Sequence, residues 1–266
     1  MAALLVLLTV LYGRDRARRY PWFTTSVALV TFRLLASRLL FGRMAAIPEN
    51  AILLSLGDLE VVVNLLVLVE VARRGFRGVS KRALAAWTII LLAAGIAVVA
   101  YWGPWPSRQT LGAMSLLAIL QLMGLIAERG GMLVSLLALG LGVLILLFGR
   151  RYRAGWRSHT QQIAIGLSTA GISQLAVRGI WQAIATHATV HSQAEYERVM
   201  HLQARLYSAN NVVYFAVLVW WIAWLWVDEP GTASEAPAAG YAQAAQIAPS
   251  AGGGEAAEEP PNGNQL

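Results

Sequence analysis

Six apolar runs, separated by short polar or charged segments, set the strongest limit on how this 266-residue chain can fold. They cover residues 22–41, 51–71, 83–102, 131–149, 162–185 and 209–227. Each is close to the ~20 residues a helix needs to cross a hydrocarbon core of ~30 Å. In lipid every backbone N–H and C=O must find a partner inside the protein, so runs of this kind become helices. The composition agrees: 57% of residues are hydrophobic and only 13% charged, against roughly 25% charged in soluble domains. That is too little charge to coat a water-soluble surface. It excludes an ordinary soluble enzyme and a disordered protein, and the absence of cysteine excludes a disulfide scaffold and thiolate metal sites.

An initial run, Ala2–Tyr12, is about half a span. Its charges follow it, so it reads as a first helix with its N-terminus outside, or as a segment lying in the interface. Counting it, the predicted fold class is all-α: an integral membrane bundle of about seven helices, N-terminus out and C-terminus in.

The charges orient the bundle. Of 21 basic residues, 20 are Arg and only Lys81 is Lys. Thirteen of them fall in three short segments, Arg14–Arg19, Arg73–Arg82 and Arg150–Arg157. Short basic loops stay on the cytoplasmic side, which places residues 42–50, 103–130 and 186–208 outside. Residues 110–127 are also apolar. If they crossed alone, Arg150–Arg157 would be stranded outside, so one crossing is expected for 131–149, preceded by an outer or re-entrant helix. Tyr20, Trp22, Trp87, Tyr152, Trp156, Trp224 and Trp226 then fall at inner ends, and Tyr101, Trp102, Trp105 and Trp181 at outer ends, as in an aromatic belt.

The chain divides at residue 227. Residues 1–227 form the bundle. Residues 228–266 carry six acids, no basic residue and eleven Pro or Gly, the composition of a disordered cytoplasmic tail that cannot bury enough apolar surface to order itself. The net charge of +7 is therefore the sum of a basic bundle and an acidic tail.

Three elements carry a resemblance. The short first run leads into Arg18-Arg-Tyr-Pro-Trp-Phe23; Glu60 is followed by Glu70-Val-Ala-Arg-Arg74; and Gly155-Trp-Arg-Ser-His-Thr160 precedes Ile165-Gly-Leu-Ser168. On these residues the chain, over 1–227, resembles a group of uncharacterised multi-pass bacterial membrane proteins of the acidobacterial hypothetical-protein type. The resemblance implies a topology and no mechanism.

Function is sought among polar residues inside the spans, since a charged group there costs roughly 2.5–3.5 kcal/mol on insertion scales and needs a partner or water. Arg33, Asp58, Glu60 and Arg178 share a depth of roughly 10–14 Å below the outer boundary. Gln174, Arg178 and Gln182 are spaced i, i+4, i+8 and form one stripe, continued by Gly171. Glu60 and Asn64 form another. Asp58 and Glu60 point about 200° apart, so only one is expected to meet Arg33. Asn210, Asn211 and Tyr214, with Tyr207, add polarity to the outer half of the last helix. Three readings stay open: an ion-pair network that fixes how the helices meet, an outward-open site for a small polar or anionic ligand, or a proton or ion path.

His187, His191 and Glu195 have helical spacing, but Arg198 and Arg205 on the same face oppose a cation. A solvated face is expected and no metal site. His159 is read as a cap on backbone carbonyls at a helix end. No cofactor is implied: the lone Lys81 lies in a loop, which excludes a retinal Schiff base, and no histidine pair lies within the spans for haem. No Walker A, Gly-x-Ser-x-Gly or His-Glu-x-x-His motif occurs, so no catalytic residue is assigned and the chain is not read as an enzyme. The expected partners are the lipid bilayer and a protein bound through the tail or cytoplasmic loops, with no nucleic acid. The expected role is a sensor or small-ligand-binding bundle of the bacterial inner membrane. A small-solute transporter and a scaffold subunit are the alternatives.

Overall fold

The computed structural model describes residues 1–76, 81–101, 115–148, 158–187 and 192–228. Among them every element is helical: α1 Ala2–Gly13, α2 Arg16–Arg19, α3 Pro21–Leu40, α4 Ala46–Gly75, α5 Lys81–Tyr101, α6 Leu116–Phe148, α7 His159–His187 and α8 Gln193–Trp226. Five of these, α3, α4, α6, α7 and α8, are long and apolar enough to cross a membrane. Ala2–Gly13 and the Thr88–Tyr101 stretch of α5 are apolar but shorter. The compact unit is Met1–Val227. The tail expected to be disordered, and the basic segment Arg150–Arg157, lie outside the described residues.

Apart from the single-turn α2, successive helices run antiparallel. One end of the bundle, here the basic end, gathers Arg14–Arg19, the C-terminus of α4 and the start of α7. Arg14 lies over the Trp226 ring at 5.2 Å. Tyr20 bonds Thr160 there, hydroxyl to hydroxyl, at 2.9 Å. The opposite end holds Leu40, Ala46, His187 and Gln193.

Each helix touches the next around a closed ring: α1 packs on α3, α3 on α4, α4 on α6, α6 on α7, α7 on α8, and α8 back on α1. α4 also crosses to α7, and α5 packs outside the ring on α6. The ring closes through α1, whose Leu4, Leu7, Val10 and Leu11 are all buried. This short segment is therefore part of the core. At twelve residues it rises only about 18 Å, so it fills the seam between α3 and α8 over the basic half alone.

Burial follows that limit. The buried residues of α3 are Phe23, Thr24, Val27 and Thr31, none beyond its first eleven positions. In α8 they are Val217, Leu218, Trp221 and Leu225, and none of the described side chains before Val217 is buried. Along α3 and α8 the bundle is tight at the basic end and loosens toward the far end. Phe23 meets Trp221 edge-to-face at 5.0 Å across the tight half. Tyr20, expected in the aromatic belt, is completely buried in this core. It turns inward because Thr160 supplies a hydroxyl partner and Arg74 stacks on its ring at 4.8 Å.

Small residues set the closest seams. A Cβ added at Gly171 would come within 2.9 Å of the Ser135 backbone oxygen, so α6 and α7 approach main chain to main chain there. A Cβ at Gly166 would strike the Trp221 indole.

Two segments differ from the sequence reading. Residues 116–148 form one helix, without the division expected between 127 and 131. Its polar middle is satisfied in place: Arg129 donates to the Val99 carbonyl of α5 at 3.1 Å. Gly130 and Gly131 leave room for Val61 and Arg178 from the neighbouring helices. Residues 193–208, expected as an outer segment, are continuous with the last span. Ser192 and Glu195 form a reciprocal capping box that starts α8 there.

Leu7→Ala should cost about 1–3 kcal/mol, less than the 2–5 kcal/mol usual in water-soluble cores, because lipid supplies no hydrophobic transfer term and only the cavity and lost contacts remain. Thermal melting in detergent micelles reads this. Gly171→Ala should lower the midpoint in the same assay, whereas Gly179→Ala, with nothing within 4 Å of the added carbon, should leave it unchanged.

Candidate functional site

Where the bundle loosens, the polar residues of five helices face one another. Arg33 of α3 donates from Nη1 to Glu60 Oε2 of α4 at 2.7 Å, with the two side chains 42% and 23% exposed. Of the two acids singled out by sequence, Glu60 meets Arg33. Asp58 points elsewhere, its Oδ1 buried with no hydrogen-bond partner among the described residues. One turn nearer the basic end, Ser26 donates to Asn64 Oδ1 at 2.6 Å.

The α7 stripe faces α6. Gln174 Oε1 accepts from Ser135 at 2.8 Å, and Arg178 Nη1 donates to the Glu128 carbonyl at 2.6 Å. On its other side α7 meets α8 through Ser173, which donates to Asn210 Oδ1 at 2.8 Å. Tyr214 of α8 lies close enough to Glu60 to feel its charge, and Tyr207 does so with Arg178. Asn211 is exposed and belongs to the outer surface of α8. Gln182 is half-buried, one turn beyond Arg178 toward the far end.

The two arginines approach one turn of α6. The Arg33 guanidinium lies 3.5 Å from where a Gly57 Cβ would sit, and Ala127 of α6 lies 3.7 Å from that same point. The Arg178 guanidinium lies 3.2 Å from the corresponding position of Gly131. Ala127 and Gly131 are four residues apart on one helix face, so the two cations are no more than about 16 Å apart. Small residues at 57 and 131 let the two guanidinium groups lie against the backbones of α4 and α6. Each guanidinium has five N–H donors, and the hydrogen bonds above use one from each. The arrangement can take an anion: the donors match a carboxylate or phosphate in pairs.

Apart from Arg33–Glu60, sequence reasoning missed one member of each pair. Ser26, Ser135, Ser173 and the Glu128 carbonyl are the partners of residues it named. A lone Ser in an apolar helix carries no signal of its own, because its hydroxyl can bond back to the preceding turn, as Ser135 also does to the Gly131 carbonyl at 2.9 Å.

A second polar network lies at the basic end and is far more buried. Glu70 Oε2 accepts from the Phe23 backbone N–H at 3.2 Å, and its Oε1 faces Arg74 at 3.4 Å. Gln162 accepts from both indoles of Trp220 and Trp221 at 3.2 Å. His159 is buried in the first turn of α7. That is a helix N-terminus, where the orphan groups are N–H donors and no carbonyl awaits a cap. Ser158 serves that end instead, accepting from the Gln161 N–H at 3.4 Å. This network closes the tight half and joins α3, α4, α7 and α8.

Among the described residues no three His, Asp or Glu side chains gather as a metal site. His201 is exposed on α8, and His191 lies outside the described residues. Comparison with protein-family models, with curated proteins and with solved structures finds no match to the chain.

A double-mutant cycle on Arg33→Gln and Glu60→Gln should give a coupling of about 1 kcal/mol, the scale of a part-exposed pair rather than a buried one. Melting midpoints of the two single variants and the double variant in one detergent measure it.

Proposed function

We propose that this chain is a multi-pass protein of the bacterial inner membrane that binds a small anionic solute in the loosened half of its bundle. The observation that carries the reading is the approach of Arg33 and Arg178 to a single small-residue turn of α6. In this reading α1 and α5 complete seven membrane helices. The basic end faces the cytoplasm by the positive-inside rule, and the loosened half opens outward. Arg33 and Arg178 hold the anion; Glu60 competes for Arg33 and sets how strongly it is held. Tyr214, Asn210 and Gln174 offer neutral hydrogen bonds around it.

Binding is favoured over transport by the other half of the molecule. Tyr20, Leu225 and Ile163 are fully buried there, and Tyr20, Glu70 and Gln162 are hydrogen-bonded to neighbouring helices. A solute held in the loosened half meets a closed floor. The bundle is then a receptor or sensor element, passing its state to a partner through the cytoplasmic loops or the acidic tail.

Small carboxylates and phosphate esters, titrated against the full chain in detergent by calorimetry, test this. At least one should bind. Arg178→Gln should weaken it about tenfold or more, in line with the 1.5–3 kcal/mol of a charged hydrogen bond. Glu60→Gln should tighten it by releasing Arg33. A purely structural ion-pair cluster gives neither change, and failure of every anion to bind removes the proposal.

The absence of native cysteine makes orientation directly measurable. Single cysteines at Ser192 and Arg18 should react oppositely with a membrane-impermeant maleimide on intact spheroplasts. Ser192→Cys should label from outside, and Arg18→Cys only after the membrane is opened.

A further inference from the structure

A groove of about 450 Å³ runs along the outside of α3 and α4 at the basic end, lined by Pro21, Trp22, Leu66, Val69, Glu70, Arg73 and Arg74. Leu66, Val69, Glu70 and Arg73 are spaced i, i+3, i+4, i+7, so one face of α4 makes the floor. Pro21 and Trp22, opening α3, make the wall. Trp22 and Val69 are each 42% exposed, so the groove faces whatever surrounds the bundle.

Polarity changes along its length. Leu66 and Val69 make one part hydrocarbon. A turn further on, at the mouth, stand Glu70, Arg73 and Arg74. Glu70 is already matched within the protein, by the Phe23 N–H and by Arg74. Arg74 is held in place by that contact and by its stack on Tyr20. Arg73, exposed at the mouth, leaves a net positive charge there.

We infer that this groove is a binding site for one anionic phospholipid. An acyl chain would lie on Leu66, Val69 and Trp22, and the phosphate would sit at Arg73. A basic site at the headgroup level beside an apolar slot is suited to an anionic amphiphile, and Trp favours that same depth. A free anion would gain nothing from the apolar part. A zwitterionic lipid would bring its own cation to a mouth that is already positive. The site is independent of the arginine site proposed above. Arg73 is thirteen residues beyond Glu60 on α4, roughly 20 Å along the helix.

The test uses the full chain in phosphatidylcholine nanodiscs doped with phosphatidylglycerol, with bound lipid counted by native mass spectrometry and stability read by melting. One phosphatidylglycerol should be retained per chain, raising the midpoint, and phosphatidylcholine should not be retained. Arg73→Gln should weaken retention about tenfold while leaving the midpoint in pure phosphatidylcholine unchanged, and Arg73→Lys should restore it. Val69→Trp, which fills the slot and keeps every charge, should abolish it. Equal retention of both lipids would overturn the proposal, as would phosphatidylglycerol binding unaltered in Arg73→Gln and Val69→Trp. A midpoint rise of the same size with inorganic phosphate or glycerol phosphate would show a phosphate site without a lipid. A dimer joined through this face would show that a second copy fills the groove.

Discussion

Closure of the ring by a half-length helix is the constraint on which the rest of the structure depends. α1 supplies four buried side chains between α3 and α8, but only over the basic half. Where it is present, the long helices converge on a common core that includes Tyr20, Phe23, Leu225 and Ile163. Beyond its reach the buried positions of α3 and, among the described side chains, of α8 stop. One sequence thus yields two environments: a closed half where Tyr20, Glu70 and Gln162 are hydrogen-bonded inside the protein, and a half beyond it where Arg33 and Arg178 each keep N–H donors besides the hydrogen bond described.

What holds the seams is suited to a protein surrounded by lipid. Apolar side chains gain little there by leaving one hydrocarbon surface for another, so close contact and hydrogen bonds carry more of the association. Gly166 beside Trp221, Gly171 beside Ser135 and Gly142 beside Ser168 bring helices near one another. Ser26–Asn64, Ser135–Gln174 and Ser173–Asn210 then fasten three different seams with the same hydroxyl-to-amide bond. The repeated use of one short and one longer polar side chain fits helices that approach without room for two long ones. The two arginine-bearing regions divide the labour. In the other half Arg33 is paired with Glu60 and Arg178 with the Glu128 carbonyl. At the basic end Arg74 is locked to Glu70 and Tyr20, and its neighbour Arg73 is left to face outward.

Much of this was legible in the residues and some was not. That only one of Asp58 and Glu60 meets Arg33 follows from a helical angle, and the common face of Gln174 and Arg178 from a spacing of four. Both are local quantities. Tyr20 looked like a belt residue because aromatic rings beside Arg usually lie at an interface; its burial depends on Thr160, 140 positions away. The division of residues 116–148 was expected because a separate crossing by 110–127 would strand Arg150–Arg157 outside. It does not occur because the Val99 carbonyl and the α7 arginine come from other helices to meet the turn of Glu128 and Arg129. Asn211 was grouped with Asn210, although adjacent positions lie about 100° apart on a helix and only one of them faces α7.

The sequence by itself determined that the chain is helical, where its apolar helices run and which end of each is basic. Those properties are sums over neighbouring residues: transfer free energy adds along a run whatever lies beside it, and charge at a loop acts without a specific partner. Tertiary structure alone decided that a half-length helix belongs to the core, that serines complete the polar pairs, and that two arginines from distant segments approach the same turn of α6. Each of these depends on how helices are rotated and ordered around the ring, and that is fixed by contacts between residues far apart in the chain.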